Sequence, residues 1–453
     1  MAQSKFRFTS VLTSAGWQRD VVVSVGETGL IENVQANAKD GTPISGIAIP
    51  AVPNVHSHAH QRLMVGLAER AGPGADSFWT WREVMYGFAL KLSPDDLEAV
   101  AAQAYVEMLK AGFSCVGEFQ YLHHRPDGSP YDEPAEMSLR CLAAAEQAGI
   151  AITMLPTLYS YSGFGGQAAT AGQRRFVNDA DRFLRIYETL AGVCAVDPLR
   201  RLGISPHSLR AVTPELLKTV LGGIGDDVRV HIHVAEQSKE VDDCLAWSRL
   251  RPVEFLRSQF GVSRRWCAIH ATHMTEDEAI WLARSGAIAG LCPTTEANLG
   301  DGIFQADSFM SHGGAIAIGS DSQITISPAE DLRMLEYSQR LRDRTRNALA
   351  SGAGASTGRT LFDAAVKGGA ACLGQPVGSI EVGKRCDIVV LDDDYGSMIG
   401  READAALDAW IFSSGNGAVK DVIVEGAHVV KDRLHFDENR IQKRFTETVR
   451  RLS

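Results

Sequence analysis

Between residues 93 and 318 the chain alternates short apolar segments with segments that carry helix start and stop signals. Ser93, an N-cap residue, and Pro94, at the first helical position, predict a helix that Gly112 ends. Strand–helix alternation of this kind predicts a parallel sheet covered by helices. The number of repeats, with no glycine-rich phosphate loop after any strand, favours a closed (β/α)8 TIM-like barrel over an open nucleotide-binding sheet. Further helices are predicted to start at Glu133, Thr213, Arg251 and Thr275, and strands to span 115–119, 150–155, 228–234, 266–269, 287–291 and 315–318.

Both ends of the chain have a β-rich pattern instead. Each piece is too small to bury a core alone, so we expect the two pieces to pack on each other. We therefore predict an α/β protein with a small β-sandwich domain, formed by 1–50 and 376–453, beside a metal-dependent barrel formed by 51–375. The strands predicted in the two end pieces are 5–12, 20–25, 30–34, 385–391, 419–424 and 427–430.

Histidines follow the first predicted barrel strand. His56 and His58 are two residues apart, and residues at that spacing share one face of an extended strand. Two imidazoles placed in this way can occupy adjacent positions on one metal ion. His60 continues the same row and could be a further metal ligand, but it could equally be a residue that only lines the site.

Three later strands also end in titratable groups. His231 and His233 share one face of the strand at 228–234, so either could complete a metal site, and Glu236 follows just past the strand end. His270 and Asp321 each end a further apolar strand. Because barrel enzymes keep their active sites at the carboxyl ends of their strands, these groups predict a convergent metal site.

The number of metal ions follows from what the strands lack. A two-metal site needs a bridging ligand, often a modified lysine, and the strands at 115–119 and 202–207 contain no lysine. Imidazole and carboxylate ligands with one open position predict a single zinc ion, although iron and manganese accept the same ligand types.

Composition narrows the function further. The formal net charge is −10, which argues against a nucleic-acid partner, because the phosphate backbone demands a basic face. The eight cysteines occur singly, mostly in apolar runs, and so indicate reduced core residues of a cytoplasmic protein. Neither an apolar leader at the start nor an apolar run long enough to span a membrane occurs, so no membrane association is expected.

The order of these groups resembles the amidohydrolase superfamily in its mononuclear deaminase branch and, more narrowly, the formiminoglutamate deiminases. The resemblance covers essentially the whole chain and includes residues 377–391, which are similar to that superfamily's return into its small domain. The segments that carry it are 54–62 (NVHSHAHQR), 76–82 (DSFWTWR), 118–124 (EFQYLHH), 206–213 (PHSLRAVT), 231–237 (HIHVAEQ), 270–273 (HATH) and 293–302 (PTTEANLGDG).

The resemblance implies a role for each matching residue. It implies zinc-dependent deamination of N-formimino-L-glutamate to N-formyl-L-glutamate and ammonia, by a homodimer. Such a substrate carries two carboxylates, which arginines bind through charge-assisted hydrogen bonds. The metal ligands implied are His56, His58, His233 and Asp321, the catalytic residues Glu236, His270 and Asp321, and the residues that bind the small anionic substrate Gln61, Arg82, Tyr121, His207 and Arg210.

Two positions depart from the family pattern. The resemblance predicts phenylalanine where the chain has His60, and histidine where it has Gln323, which cannot titrate. Two other functions remain as alternatives. A purine, pyrimidine or triazine deaminase would need aromatic stacking rather than Arg82 and Arg210, and a non-catalytic metal-binding barrel would not need Glu236 and His270.

Overall fold

The structure is a computed structural model, and it describes residues 4–70 and 78–452. Asp76 and Ser77 of the segment at 76–82 lie outside the described residues, as do the first three residues and the last. The strands are β1 (Ser4–Thr13), β2 (Gly16–Val25), β3 (Ile31–Ala36), β4 (Thr42–Pro50), β5 (Val52–Ser57), β6 (Phe113–Gln120), β7 (Ala151–Leu158), β8 (Tyr161–Gly163), β9 (Gln167–Ala168), β10 (Arg200–Leu202), β11 (Ser205–Pro206), β12 (Val230–Val234), β13 (Trp266–His270), β14 (Ile288–Leu291), β15 (Ala315–Ile318), β16 (Ile388–Leu391), β17 (Val419–Val424), β18 (Ala427–Lys431) and β19 (Leu434–His435).

The helices alternate with the strands through the middle of the chain, as the sequence predicts. Several begin with a residue that caps them: Ser93, for example, accepts a hydrogen bond from the backbone of Asp96 and forms a capping box with it. The helices are α1 (Phe78–Ala89), α2 (Pro94–Ala111), α3 (Glu136–Ala148), α4 (Ala180–Cys194), α5 (Pro214–Gly222), α6 (Ser238–Ser248), α7 (Pro252–Gln259), α8 (Glu276–Ser285), α9 (Pro293–Leu299), α10 (Ala306–Ser311), α11 (Pro328–Asp343), α12 (Thr357–Leu373), α13 (Asp404–Ala409) and α14 (Glu438–Leu452).

Parallel strands form a closed barrel. One run of neighbours is β10–β7–β6–β5, with β11 also beside β7, and a second run is β12–β13–β14–β15. Single parallel bridges from Ile204 to Val230 and from Ser208 to His233 connect the two runs. A bridge from Ser57 to Asp321 closes the ring, with Asp321 N donating to His56 O at 3.0 Å and His58 N donating to Asp321 O at 3.1 Å. Counting β10 and β11 as one interrupted strand, the barrel has eight.

The two ends of the chain share one sheet, in the order β19–β18–β17–β16–β4–β1–β2–β3. The ends meet where β4 pairs antiparallel with β16, Ile49 lying opposite Val389. An antiparallel bridge from Leu30 to Arg385 folds the sheet over on itself. Buried residues of both ends, among them Phe8 and Ile388, form a hydrophobic cluster separate from the barrel core.

Sequence and structure differ in places. The helix predicted to start at Glu133 begins instead at Glu136, because residues 134 and 135 form a turn. The strand β4 lacks clear alternation, since its second half is buried on both faces, and it was not predicted. Within residues 4–70 and 78–452, no helix has the length and apolar character that crossing a membrane requires.

Candidate metal-dependent active site

Four side chains from three parts of the barrel meet at its carboxyl end. Nε2 of His56 lies 3.1 Å from Nε2 of His233 and 3.3 Å from Oδ1 of Asp321, while Nε2 of His58 lies 3.6 Å from the same oxygen. His56 lies near the end of β5, His58 directly follows that strand, His233 lies near the end of β12, and Asp321 follows β15. All four side chains are buried.

Backbone carbonyl groups orient two of the imidazoles. Nδ1 of His58 lies 2.9 Å from the carbonyl oxygen of Phe119, and Nδ1 of His233 lies 2.8 Å from that of His207. A carbonyl oxygen only accepts, so each Nδ1 carries the hydrogen and each Nε2 keeps a free lone pair. This is the arrangement of histidines that bind a metal through Nε2.

The donor set suits a bound metal ion, and its ligand types are ones that zinc accepts. Donor nitrogens of His56, His58 and His233 lie within 4.8 Å of one another, and the same limit holds for donor atoms of His56, His270 and Asp321. Three neutral imidazoles and one carboxylate, with a side open to a pocket, are the ligands of catalytic zinc sites. His231, the alternative from the sequence, points elsewhere: its Nε2 lies 3.1 Å from the carbonyl oxygen of Cys372, in the barrel interior.

Glu236 and His270 lie beside this cluster. Nε2 of His270 is 3.7 Å from Oε1 of Glu236 and 3.8 Å from Oδ2 of Asp321. Burial raises the pKa of the Glu236 carboxyl to about 7, although the nearby His270 opposes the shift. Burial alone would lower the pKa of His270, but the carboxylates of Glu236, Glu296 and Asp321 outweigh it and raise that pKa to about 10. The pKa of Glu236 is therefore suited to proton transfer near neutral pH, whereas His270 is held as a cation among the three carboxylates.

The backbone around these groups is strained. Ala235, His270, Ala271 and Asp321 have positive φ angles of 52°, 66°, 49° and 46°, a region that residues other than glycine rarely adopt. Strain of this kind persists only where the surrounding structure imposes it, and it concentrates at functional sites. Here the left-handed residues turn the chain sharply at three strand ends, so that the side chains of Glu236, His270 and Asp321 all face the pocket.

The pocket above the cluster contains every proposed site residue except His56, which lies beneath it. Its walls are largely aromatic. Sequence reasoning missed several of these wall residues: Phe78 and Trp81 belong to the quoted segment at 76–82, whereas Tyr159 and Phe176 lie in no recognisable motif. The residues that line the pocket are His58, Gln61, Phe78, Trp81, Arg82, Met85, Tyr86, Tyr121, Tyr159, Phe176, His207, Arg210, His233, Glu236, His270, Leu299 and Asp321.

Two arginines from different parts of the chain reach this pocket. Arg82 lies on α1 and Arg210 follows β11, and their guanidinium carbons stand 4.6 Å and 5.5 Å from the ring centre of Trp79. Nε of each is buried without a hydrogen-bond partner among the described residues. Buried donors are seldom left unpaired, so these two are available to an anionic ligand.

Tyr121 links the two neighbouring residues His60 and Gln61. Its hydroxyl oxygen accepts a hydrogen bond from Nε2 of Gln61 at 3.1 Å and lies 2.9 Å from Nε2 of His60. His60 is absent from the metal-binding groups found among the described residues. It therefore forms part of the wall behind Tyr121. Oε1 of Gln61 is buried and has no partner in the part of the chain described, which leaves it free to accept from a ligand.

Gln323 lies behind the pocket and does not line it. Its Nε2 donates to the hydroxyl of Ser57 at 3.0 Å and to the carbonyl oxygen of Asp321 at 2.8 Å. Its Oε1 accepts from Ser320 at 2.9 Å. The amide therefore ties the loop after β15 to the loop after β5, a role that requires hydrogen bonding and no titration.

Comparisons with known proteins agree with this architecture. A sequence model of the Amidohydrolase family matches residues 47–429. Formimidoylglutamate deiminase of Pseudomonas aeruginosa is 49% identical over 447 residues, which is 97% of this chain and 98% of that protein. The crystal structure of an amidohydrolase from Brucella melitensis is 46% identical, with a TM-score of 0.94 and 99% of each chain covered.

A more distant solved structure shares the fold. It is an adenosine deaminase from Xanthomonas campestris with bound zinc, 22% identical, with a TM-score of 0.81 over 99% of this chain and 98% of that one. At that identity the likeness concerns the fold alone, a barrel with a small β domain. The match over residues 47–429 and the 49% identity over nearly the whole length decide the family: the chain belongs to the amidohydrolases.

Proposed function

We propose that this protein is a zinc-dependent hydrolase that deaminates N-formimino-L-glutamate to N-formyl-L-glutamate and ammonia. One observation carries the proposal: Arg82 and Arg210, whose buried Nε atoms have no partner among the described residues, share a pocket with Glu236, His270 and Asp321. The substrate class follows from the charges, since two arginines suit a small dicarboxylate. The specific substrate rests on the 49% identity to formimidoylglutamate deiminase.

We assign the metal ligands as His56, His58, His233 and Asp321, and one zinc ion per chain. Support comes from the shared cluster of nitrogen and carboxylate donors and from the absence of lysine in the barrel strands β6 and β11, among the described residues. When bound, zinc supplies Lewis-acid chemistry that makes water acidic enough to react near neutral pH.

The substrate's charged groups are assigned to the pocket residues. Arg82 and Arg210 bind the two carboxylates, and Tyr121 and His207 add hydrogen bonds to them. The free oxygen of Gln61 accepts from a substrate N–H, because its nitrogen is already bonded to Tyr121. This arrangement directs the formimino group toward Glu236, His270 and Asp321.

The remaining residues move protons. Water adds to the formimino carbon while Asp321, with His270 beside it, accepts the proton that water loses. The tetrahedral adduct then breaks its bond to the terminal nitrogen. The formimino group enters as an amidinium cation, so its terminal nitrogen already carries two hydrogens. Glu236, whose pKa burial raises to about 7, donates a third to that nitrogen, which leaves as ammonia. The hydroxyl group of the adduct returns a proton to Glu236 as it becomes the formyl carbonyl, and Asp321 releases its proton to water.

A substrate panel tests the proposal. Purified enzyme, with and without a zinc chelator, is given formiminoglutamate, adenosine, guanine, cytosine or a triazine, and ammonia release is measured. We expect turnover of formiminoglutamate that the chelator abolishes and added zinc restores. A preference for a nucleobase or triazine would instead assign the aromatic walls to ring stacking and refute the substrate. Release from none of them would favour the non-catalytic barrel.

Three broader assignments are proposals as well. We propose domain boundaries at 1–50 with 376–453 and at 51–375, supported by the shared end sheet and its separate hydrophobic cluster. A homodimer rests on the family resemblance, and light scattering of the purified protein tests it. A cytoplasmic location is supported by eight cysteines that are all buried and unpaired.

A further inference from the structure

Glu296 is a buried carboxylate beside the active site to which the reaction scheme above gives no role. It lies in the first turn of α9, the helix that follows β14. Its Oε1 accepts a hydrogen bond from the backbone N–H of Cys292 at 2.8 Å and lies 3.2 Å from Nδ1 of His270. Only 4% of Glu296 and 1% of His270 is exposed, so water competes with neither contact.

The ring of His270 is held from this side. Its other nitrogen, Nε2, faces Glu236 and Asp321 at 3.7 Å and 3.8 Å, distances longer than a hydrogen bond. His270 is the last residue of β13, and its backbone is in the left-handed region, with φ at 66°. Its side chain therefore does not take the direction that a regular strand would give it. The contact with Glu296 is therefore the hydrogen bond that fixes the ring plane within the described structure.

A carboxylate at Nδ1 also fixes the position of the proton. An ionised carboxylate only accepts hydrogen bonds, so Nδ1 must carry a hydrogen to bond with Glu296. With Nδ1 protonated, Nε2 is the nitrogen that exchanges protons with the site. The same logic applies where a carboxylate orients a catalytic imidazole in hydrolases of other folds.

We propose that Glu296 is a positioning residue that holds the proton on Nδ1 of His270 and turns Nε2 toward the reacting atoms. The inference deepens the function proposed above and rests on it for the role of His270. It does not depend on which substrate the pocket accepts.

The chain offers a matched control. Glu278 is also 4% exposed and also lies in the first turn of a helix, α8, where it accepts from the backbone of Thr275. Its carboxylate faces Arg251, at 2.8 Å, instead of the active site. Glu278→Gln therefore reports what losing a buried helix-start carboxylate does to the fold.

Kinetics and metal content of the zinc-loaded enzyme test the proposal. We expect Glu296→Gln to keep one zinc per chain and an unchanged KM, and to lower kcat by roughly 10–100-fold. Glu278→Gln should leave kcat unchanged. A wild-type kcat in Glu296→Gln, equal effects of the two substitutions, or loss of zinc would each overturn the inference.

A second measurement needs neither turnover nor a substitution of Glu296. The ring nitrogens of His270, labelled with nitrogen-15 and assigned by difference from His270→Gln, report by NMR which nitrogen carries hydrogen in the zinc-loaded wild type. The measurement is made at a pH where the ring is neutral, because an imidazolium carries hydrogen on both nitrogens. We expect the neutral ring to carry its hydrogen on Nδ1. A neutral ring with its hydrogen on Nε2 would refute the role of Glu296 even if the substrate panel succeeds, and hydrogen on Nδ1 would support it even if the panel fails.

Discussion

Nε2 of His56 and Nε2 of His233 lie 3.1 Å apart, although the two residues are separated by 177 positions in the chain. His233 directs its Nδ1 hydrogen to the carbonyl oxygen of His207, so its Nε2 presents a lone pair. Burial lowers the pKa of both rings, so neither gains a proton near neutral pH. No contact among the described residues fixes the hydrogen of His56, whose Nδ1 is buried without a partner, so its Nε2 can also direct a lone pair at a cation shared with His233.

The first prediction therefore concerns metal content. We expect about one zinc per chain in the wild type and a large loss of zinc in His233→Asn, because that residue supplies a proposed ligand. His231→Asn is the matched control: the residue lies on the same strand and is equally buried, but its Nε2 contacts the carbonyl oxygen of Cys372. Elemental analysis of each purified protein gives the answer. Equal zinc loss in the two variants, or two tightly held metals in the wild type, would contradict the assignment.

The second prediction concerns Glu236. Glu236→Gln should keep its zinc and lower kcat by roughly 10²–10⁴-fold, the usual size of a general acid–base contribution. The amide preserves the shape of the side chain but cannot donate the proton that the leaving nitrogen needs. Steady-state kinetics and metal analysis on the same preparation measure both quantities. If the variant loses its zinc, Glu236 is a ligand and the proton must come from elsewhere.

The third prediction concerns the two arginines. A charge-assisted hydrogen bond contributes about 1.5–3 kcal/mol, so Arg82→Met and Arg210→Met should each lower kcat/KM for formiminoglutamate by roughly 10–200-fold, without loss of zinc. Arg257→Met serves as a control, because Arg257 lies over the ring of Trp281 on the outer helices. It should leave kcat/KM unchanged.

A truncated substrate separates the two arginines. Formiminoglycine lacks the side-chain carboxylate, so wild-type enzyme should turn it over poorly. One of the two arginines binds that carboxylate, and its methionine variant should have nearly the same kcat/KM on formiminoglycine as the wild type. If both variants lose as much activity on formiminoglycine as on formiminoglutamate, neither arginine binds the side-chain carboxylate.

The fourth prediction concerns pH and stability. Burial, reinforced by the neighbouring His124, lowers the pKa of His123 to about 3, against about 6.5 in the unfolded chain. Below pH 6.5 the unfolded chain therefore binds a proton that the folded chain refuses, so stability falls as the pH falls from about 6.5 toward 3. Between pH 7.5 and 5 this residue alone should cost about 2 kcal/mol of stability.

Chemical denaturation of wild type and His123→Gln between pH 7.5 and 5 measures that slope. The glutamine can donate to the carbonyl oxygen of Thr157, as Nε2 of His123 does at 2.8 Å, but it does not titrate. The free energy of unfolding should therefore fall less steeply in the variant. His312→Gln, at an exposed histidine, should follow the wild type. Parallel curves for wild type and His123→Gln would show that His123 is not the source of the slope.

The sequence alone predicted the barrel and the cluster of site residues because both depend on local patterns. Alternation revealed the strands, and the period of two placed His56 and His58 on one face. The choice between His231 and His233 could not be made from that period, since the two share a face. It depends on depth along the barrel: His233 reaches the open end, while His231 stays in the interior.

Contacts between segments that are distant in the chain could not be predicted from the sequence. The pairing of Glu296 with His270 depends on how the loop after β14 folds against the end of β13, and nothing in the spacing of the two residues reports that angle. Gln323 is a second example. The resemblance predicts a titratable histidine at this position, and only the structure shows that the glutamine bridges Ser57 and Asp321 through hydrogen bonds.

The bridge between Ser57 and Asp321 joins the first barrel strand to the loop that follows the last barrel strand. A ribosome makes His56 and His58 long before it makes Asp321, so for most of translation the two histidines have no carboxylate beside them. A chain that ends before residue 321 holds only part of the proposed ligand set. Metal capture in the finished geometry therefore follows synthesis of the eighth strand, and a tightly held ion marks a chain whose ring has closed.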